Sequence, residues 1–309
     1  MLDQLTTTQH MRTIKTKKVS WIDIDKPDSE DIVFLKKYFD FDPIILKEYL
    51  KRNKQTKIEK HTNYLFLILY FPIFDRQAKK AHPAEIDFFI TKDRIVTGHY
   101  DEIMPFEDLI QRLALSNSLK KQYLLSSSHL LLNLINLLFD ACQPMLDHIQ
   151  SNIEKIDNQS FNDNEAKLLN EIAIVKRDIN NLRLIIRPQH HILKIITSRL
   201  TRFFKSFPKI LAQETMSSYL RVWHRLEIHK QTIEAIENTN TNLLSFKMNR
   251  KVNIATVVSA LLLPLFFITS FFNCINPTNF TLRLMTILLL ATGIIISVVF
   301  IILHKQKKL

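Results

Sequence analysis

Glycine and cysteine are nearly absent from this chain: its 309 residues hold two of each. Gly98 and Gly293 cannot supply a phosphate-cradling glycine-rich loop of the usual types, because such loops need several glycines within one turn. Cys142 and Cys274 fall in different settings, one in the part read below as soluble and one in a turn between two apolar runs. A disulfide between them is not expected, and neither sits in a zinc-ligand pattern. Met1 to Lys18 is polar and basic with no apolar core. It reads as neither a secretory signal nor a membrane anchor, so the N-terminus is expected in the cytoplasm. Acidic residues are missing from the two apolar runs near the end and from the turn that joins them.

Those runs, Val252 to Asn273 and Leu282 to Leu303, contain no Asp, Glu or Lys. Each is about 22 residues long, matching the ~20 that a membrane-spanning helix needs. Asn273 to Thr281 is too short for anything but a tight turn, so the runs form a hairpin, and roughly 250 residues before it are expected to be soluble. The formal net charge of +12 is scattered, with clusters at Lys15 to Lys18, Lys51 to Lys60, Lys247 to Lys251 and Lys305 to Lys308. The last two clusters flank the hairpin, which orients it with both termini in the cytoplasm and the turn outside. A basic cytosolic face near anionic lipid explains the excess charge better than nucleic-acid binding does. Membrane lipid is therefore an expected partner, and nucleic acid is not.

Val19 to Ile24 suits a short strand, and Asp28 or Ser29 can cap the helix that follows through Phe39. Pro43 opens a second helix, whose apolar side is Ile44, Ile45, Tyr49 and Leu50. Lys57 to Phe71, Ile86 to Thr91 and Ile95 to His99 are strand-like, broken by Pro72, Pro83 and the Lys92-Asp93 turn, and predict a small mixed sheet with helices packed on it. After about Glu107 long apolar-periodic helices take over: Lys121 to Ile156, Glu165 to Phe204 and a third after Pro208, with Asn158 to Asn164 as the clearest loop. Pro144 and Pro188 read as kinks inside helices, not as boundaries. The expected architecture is an α+β membrane protein. Residues 1–120 form an N-terminal α/β cytosolic domain, 121–251 a helical bundle and stalk, and 252–309 a transmembrane hairpin (252–273 and 282–303) with a basic tail.

No Pro or Gly interrupts the third helix from Lys209 until Pro264. Helical throughout, Lys209 to Asn273 would be about 95 Å long, of which a membrane takes about a third; the rest must project as a stalk. Two sevenfold rows run along it: Tyr219, Leu226, Ile233, Asn240, and Val222, His229, Ile236, Leu243. Such a seam buries itself against other helices, either those of other copies around an axis or the two preceding helices of the same chain. Periodicity does not choose between them.

No nucleophile, base or cofactor loop presents itself, so an enzyme is not expected. His190 and His191 are adjacent on a predicted helix and point about 100° apart, and His224 and His229 face differently, which argues against a dedicated histidine metal site. Asn249, Val252, Thr256, Ser259 and Leu263 recur at three or four and share one helix face. That face either lines a water-filled path among several copies or packs on another helix, the commoner use of small hydroxyl residues in membranes. The turn offers the carboxamides of Asn273, Asn276 and Asn279, neutral oxygen acceptors that suit a hydrated hard cation, although asparagine is also simply a turn former.

Several blocks carry a resemblance. Trp21-Ile22-Asp23-Ile24 precedes a helix, and Phe39 to Leu50 contains Pro43. Lys57-Ile58-Glu59 leads to Asn63-Tyr64-Leu65-Phe66, and Asp87-Phe88-Phe89-Ile90 is followed by Arg94-Ile95-Val96-Thr97. In order and spacing these resemble the N-terminal blocks of the CorA family of divalent-cation transporters, and with the two apolar runs and the basic tail the resemblance spans residues 20 to 309. It implies a funnel-shaped homopentamer in the inner (plasma) membrane that passes divalent cations, Mg²⁺ foremost and Co²⁺ or Ni²⁺ besides, with no chemical catalysis and no resident cofactor. It also implies that Asn249, Val252, Thr256, Ser259 and Leu263 line the pore, which reverses the packing reading of that face. Asn273, Cys274, Ile275 and Asn276 then stand at the selectivity motif, with Asn273 and Asn276 as oxygen ligands of the passing metal.

The chain departs from the family at that motif. Gly-Met-Asn is expected a few residues after a Pro-Leu pair; here Pro264-Leu265 is followed, at the matching positions, by Asn273-Cys274-Ile275. The turn carries no acid and Arg283 follows it. The position matching an acidic stalk residue of the family is Asn238, and the nearest acids, Glu234 and Glu237, read as solvated surface charges. Two rivals follow from these departures: a ZntB-like zinc carrier of the same fold, and a non-conducting scaffold or regulatory relative with a decayed motif.

Overall fold

A computed structural model describes residues 10–52, 55–75, 80–159, 165–204 and 206–274, and positions 283, 286, 287, 290, 291, 293 and 294. The N-terminal elements are β1 (Met11–Lys15), β2 (Ser20–Asp25), α1 (Ser29–Tyr38), α2 (Pro43–Tyr49), β3 (Lys57–Lys60), β4 (Leu65–Asp75), β5 (Lys80–Ile90) and β6 (Arg94–His99). Helices follow: α3 (Met104–Leu115), α4 (Asn117–Tyr123), α5 (Ser127–Asp140), α6 (Gln143–Gln159), α7 (Glu165–Ile186), α8 (Gln189–Phe203) and α9 (Lys209–Cys274). Contacts divide the chain into Met1–Glu237 and Asn238–Leu309.

The strands make a six-stranded mixed sheet in the order β1-β2-β6-β5-β4-β3. Only β2 and β6 run parallel among its paired strands. β1 lies inside the stretch read as merely polar and basic. Its apolar side chains, Met11 and Ile14, are too sparse for a pattern, but pairing with Ile24 and Trp21 of β2 buries both. Pro72 and Pro83 do not break strands as expected; they sit opposite one another in the β4–β5 pair. β3 ends its pairing at Ile68 of β4, and β6 begins its pairing at Ile86 of β5. Beyond those points neither strand pairs with a further strand among the described residues, so a missing N–H on that side costs no ladder bond.

Local chemistry sets the helix starts. Asp28 caps α1 in a reciprocal capping box with Asp31, and Asp42 caps α2 just before Pro43. Where one helix from Lys121 is expected, α4 ends at Tyr123 and Ser126 caps a new helix, α5, by accepting from the His129 amide at 3.2 Å. Pro144 and Pro188 mark interruptions rather than kinks. Each stands at the start of a helix, after the Ala141–Cys142 turn and within the Arg187–Pro188 turn respectively, where proline costs less than in a helix interior because the N–H it lacks has no partner within the helix. Of the loop expected from Asn158 to Asn164, the first two residues still belong to α6, and residues 160–164 lie outside the described residues.

The sheet has an apolar core on each face. α1 and α2 cover one with Leu35, Phe39, Ile45 and Tyr49. The other packs on α3 and α5 and is continuous with the interior formed by α6, α7, α8 and the lower part of α9. Buried polar groups interrupt both. On the α3 side, Trp21 Nε1 donates to Thr97 Oγ1 at 2.9 Å, and Thr97 Oγ1 donates to Asp23 Oδ1 at 2.5 Å. Arg12 bridges Asp23 at 3.1 Å and Glu107 at 2.8 Å, and His99 Nε2 lies 3.3 Å from Asp23. Burial alone would push the His99 imidazole down; the Asp23 carboxylate outweighs it and holds His99 above its ordinary range. Under α2, Asp87 is buried with Oδ1 unpartnered, and burial followed by the charge of Glu85 holds its carboxyl well above the usual range.

Candidate functional site

α9 is a single helix of 66 residues that continues through Pro264. At 100° per residue, Asn249, Val252, Thr256, Ser259 and Leu263 fall within an arc of about 80°. All five are exposed, Val252 to 55% and Leu263 to 57%. Thr256 Oγ1 donates to the Val252 carbonyl at 2.9 Å, so the hydroxyl is satisfied within its own helix and offers oxygen lone pairs outward. The other sides of the same segment carry Ile254, Val258, Leu262, Phe266 and Phe271, likewise exposed, and one turn above Leu263 the exposed Phe267 returns to the arc itself. An apolar surface on every side of a helix requires a non-aqueous surrounding or partner helices, and this segment is long and apolar enough to cross a membrane with none of its apolar window buried. The bent pair Asn117–Tyr123 and Ser127–Gln159, at 101°, is also apolar enough, but Leu130, Leu131, Leu134 and Ile135 fill the core instead.

Lower on α9 the alternatives left by periodicity are resolved. Tyr219, Leu226 and Ile233 of the first sevenfold row, and Val222 and Ile236 of the second, join the buried core formed with α6, α7 and α8. The seam is intramolecular there. Ion pairs edge it: Lys176 with Glu237 at 2.5 Å, Arg183 with Glu227 at 2.6 Å and Arg225 with Asp147 at 2.7 Å. Glu237 is thus not the solvated charge expected from sequence, because α7 places a lysine opposite it. Glu234 pairs with Lys230 along the helix at 3.6 Å, and Asn238 is exposed. His229 is buried, and burial followed by Arg225 holds its ring below the ordinary range.

Asn273 and Cys274 are the last two residues of α9. Ile275 and Asn276, and so the rest of the selectivity-motif positions, lie outside the described residues. So does most of the second apolar run; Arg283, Thr286, Ile287, Leu290, Ala291, Gly293 and Ile294 are helical. Among the described residues, His10, Asp28 and Asp31 alone bring three potential metal-ligand atoms within 4.8 Å of one another. The capping box already occupies both of those carboxylates.

A mixed-sheet domain, a set of long helices and one long helix ending in a membrane-length apolar segment define a class of membrane protein. The sequence pattern described as CorA-like Mg²⁺ transporter protein matches residues 16–305, and the chain belongs to that family. It is a CorA-family divalent-cation transporter and not an enzyme. The cobalt/magnesium transport protein CorA of Thermotoga maritima is 21% identical over 262 residues, covering 82% of this chain and 72% of that one. YfjQ of Bacillus subtilis is 21% identical over 248 residues, covering 80% of this chain and 76% of its own length. The complete CorA magnesium transporter of Methanocaldococcus jannaschii superposes with a TM-score of 0.73 at 14% identity, covering 93% of this chain and 92% of that one. Full-length CmaX gives the same TM-score of 0.73 at 15% identity, covering 98% and 92%. At these identities the structural likeness establishes the fold.

Proposed function

We propose that the chain assembles as a homopentamer in the plasma membrane and conducts hydrated divalent cations, Mg²⁺ above all, along an axis lined by α9. The observation that carries this reading is the division of labour on one helix. Below, the sevenfold seam is spent on the chain's own α6, α7 and α8; above, the face from Asn249 to Leu263 stays exposed. Five copies of that face would enclose alternating carboxamide, hydroxyl and methyl groups, weak ligands that let a hydrated ion pass. Mg²⁺ gives up its waters reluctantly, so contact through the hydration shell suits it. Asn273 and Asn276 would supply oxygen acceptors at the mouth, both termini would lie in the cytoplasm, and residues 1–120, 121–251 and 252–309 would serve as cytosolic α/β domain, helical bundle with stalk, and transmembrane hairpin.

The test is ion flux into proteoliposomes holding pentamers verified by mass. Mg²⁺ uptake, competed by Co²⁺ or Ni²⁺, is expected; absence of flux for Mg²⁺, Co²⁺, Ni²⁺ and Zn²⁺ sinks the reading. Ile275 at the third motif position favours a second reading, a non-conducting relative, which that last outcome would support. Saturation by Zn²⁺ at far lower free metal than Mg²⁺ would instead indicate a zinc carrier.

A further inference from the structure

The α7–α8 turn and the middle of α9 flank an open surface pocket of about 560 Å³ that the proposed cation pathway does not use. Its volume is in the range of small-molecule sites, about 300–1,000 Å³. Arg187 lies on the turn, His190 and His191 begin α8, and Tyr219, Trp223 and His224 stand on α9. Along their own helices these histidines diverge, as the sequence predicts. The Pro188 break swings the start of α8 against α9, and the four-residue spacing of Tyr219 with Trp223 and of Leu220 with His224 keeps one wall of α9 facing it.

The walls are aromatic and held in place. The His190 ring stacks on Tyr219 with centroids 5.3 Å apart and planes within 11°. The Arg183 guanidinium covers the Trp223 ring at 5.4 Å and is itself fixed by Glu227 at 2.6 Å. The electrostatics are cationic. No carboxylate is among the described lining residues, and Glu227, the acid that acts on Tyr219, is tied to Arg183. Burial, then Lys194 and His191, hold the His190 imidazole below its ordinary range. A guanidinium wall disfavours a bare metal ion, and among the described residues the three imidazoles do not bring their nitrogens within 4.8 Å of one another. Positive charge beside flat rings instead selects an anion carrying a planar group.

We propose that this pocket binds a nucleotide, its phosphates held by Arg187 and His224 and its base lying on the His190 and Trp223 rings. Recognition is by side chains, consistent with a chain that has too few glycines for a phosphate loop. The chain has two tryptophans, and Trp21 is buried in the sheet domain away from the pocket, so a fluorescence change caused by a ligand in the pocket reports on Trp223.

The experiment uses the full-length protein in detergent, titrated with AMP, ADP and ATP at fixed Mg²⁺ and followed by tryptophan fluorescence and equilibrium dialysis. Saturable binding with a fluorescence change is expected. Arg187→Ala should weaken it by about tenfold or more, the scale of one charge-assisted hydrogen bond. Trp223→Phe should abolish the fluorescence change while dialysis still detects binding. Inorganic pyrophosphate should bind about tenfold more weakly than ADP, for want of a base to stack. Arg187 and His224 are exposed, so both alanine variants should keep the parent's melting temperature; His224→Ala serves if Arg187→Ala does not fold. Absence of saturable nucleotide binding, affinity unchanged in the variant, or pyrophosphate as tight as ADP overturns the proposal. So does Zn²⁺ or Co²⁺ binding without nucleotide that His190→Ala abolishes, which would make the pocket a metal site. Ion flux is measured separately, so either conclusion can fail alone.

Discussion

At the scale of single residues, the sheet domain depends on a few positions with no latitude. Gly98 of β6 lies beneath Tyr49 of α2, and a Cβ there would overlap the Tyr49 hydroxyl and ring. Gly98→Ala should therefore destabilise the protein by roughly 1–3 kcal/mol, the cost of overpacking. Adding Tyr49→Leu should recover part of the loss, and thermal unfolding of both variants checks this. His99 sets a pH dependence of definite sign. Its folded pKa lies above the unfolded value of about 6.5, so its contribution is full below that pH and is lost as pH rises through the folded pKa. The melting temperature should fall over that window in the parent, and His99→Asn should start lower and lose the slope. Equal slopes in both would show that another group titrates.

At the scale of elements, the proposed function divides α9 between stability below and transport above. Leu226 is fully buried in the seam, and Leu226→Ala should cost about 2–5 kcal/mol through lost contacts and a cavity. Ser259 is exposed on the upper face, and Ser259→Ala should shift stability by less than about 0.5 kcal/mol while altering flux. Unaltered flux in that variant would remove Ser259 from the pore wall. Much of this element was legible beforehand. A run without Pro or Gly and two sevenfold rows announced a long helix with one buried side, because the helical period is a property of the local chain. Which partner buried that side was not legible, since other copies and preceding helices offer the same apolar stripe. The Pro72 and Pro83 error has the same origin. A proline's cost in a strand depends on whether its N–H side faces a neighbour, and the neighbours come from β3 and β6, far away in sequence.

At the scale of the whole molecule, the proposed transport has an electrical signature. Carrying two charges through a potential is worth about 4.6 kcal/mol per 100 mV, twice the single-charge value. Mg²⁺ uptake should accelerate steeply as the proteoliposome interior is made negative and should fall when the potential is clamped to zero. Replacing both Asn273 and Asn276 with Ala should reduce ion discrimination; unchanged selectivity in that variant would rule both out as ligands and move recognition down to the Asn249 to Leu263 face. Fluxes measured at fixed potential check that outcome.

The sequence by itself determined what local periodicity and composition control. It set the membrane-length apolar runs, the long helix, the capped start of α1, the Pro43 start of α2, the mixed sheet and the family blocks from Trp21 to Thr97. Tertiary structure decided what depends on distant partners. It turned Met11 and Ile14 into a strand by supplying β2, gave Glu237 a counter-ion on α7, and brought His190, His191 and His224 to one pocket by breaking the helix at Pro188. Periodicity records which side of an element must be covered; only the folded chain supplies what covers it.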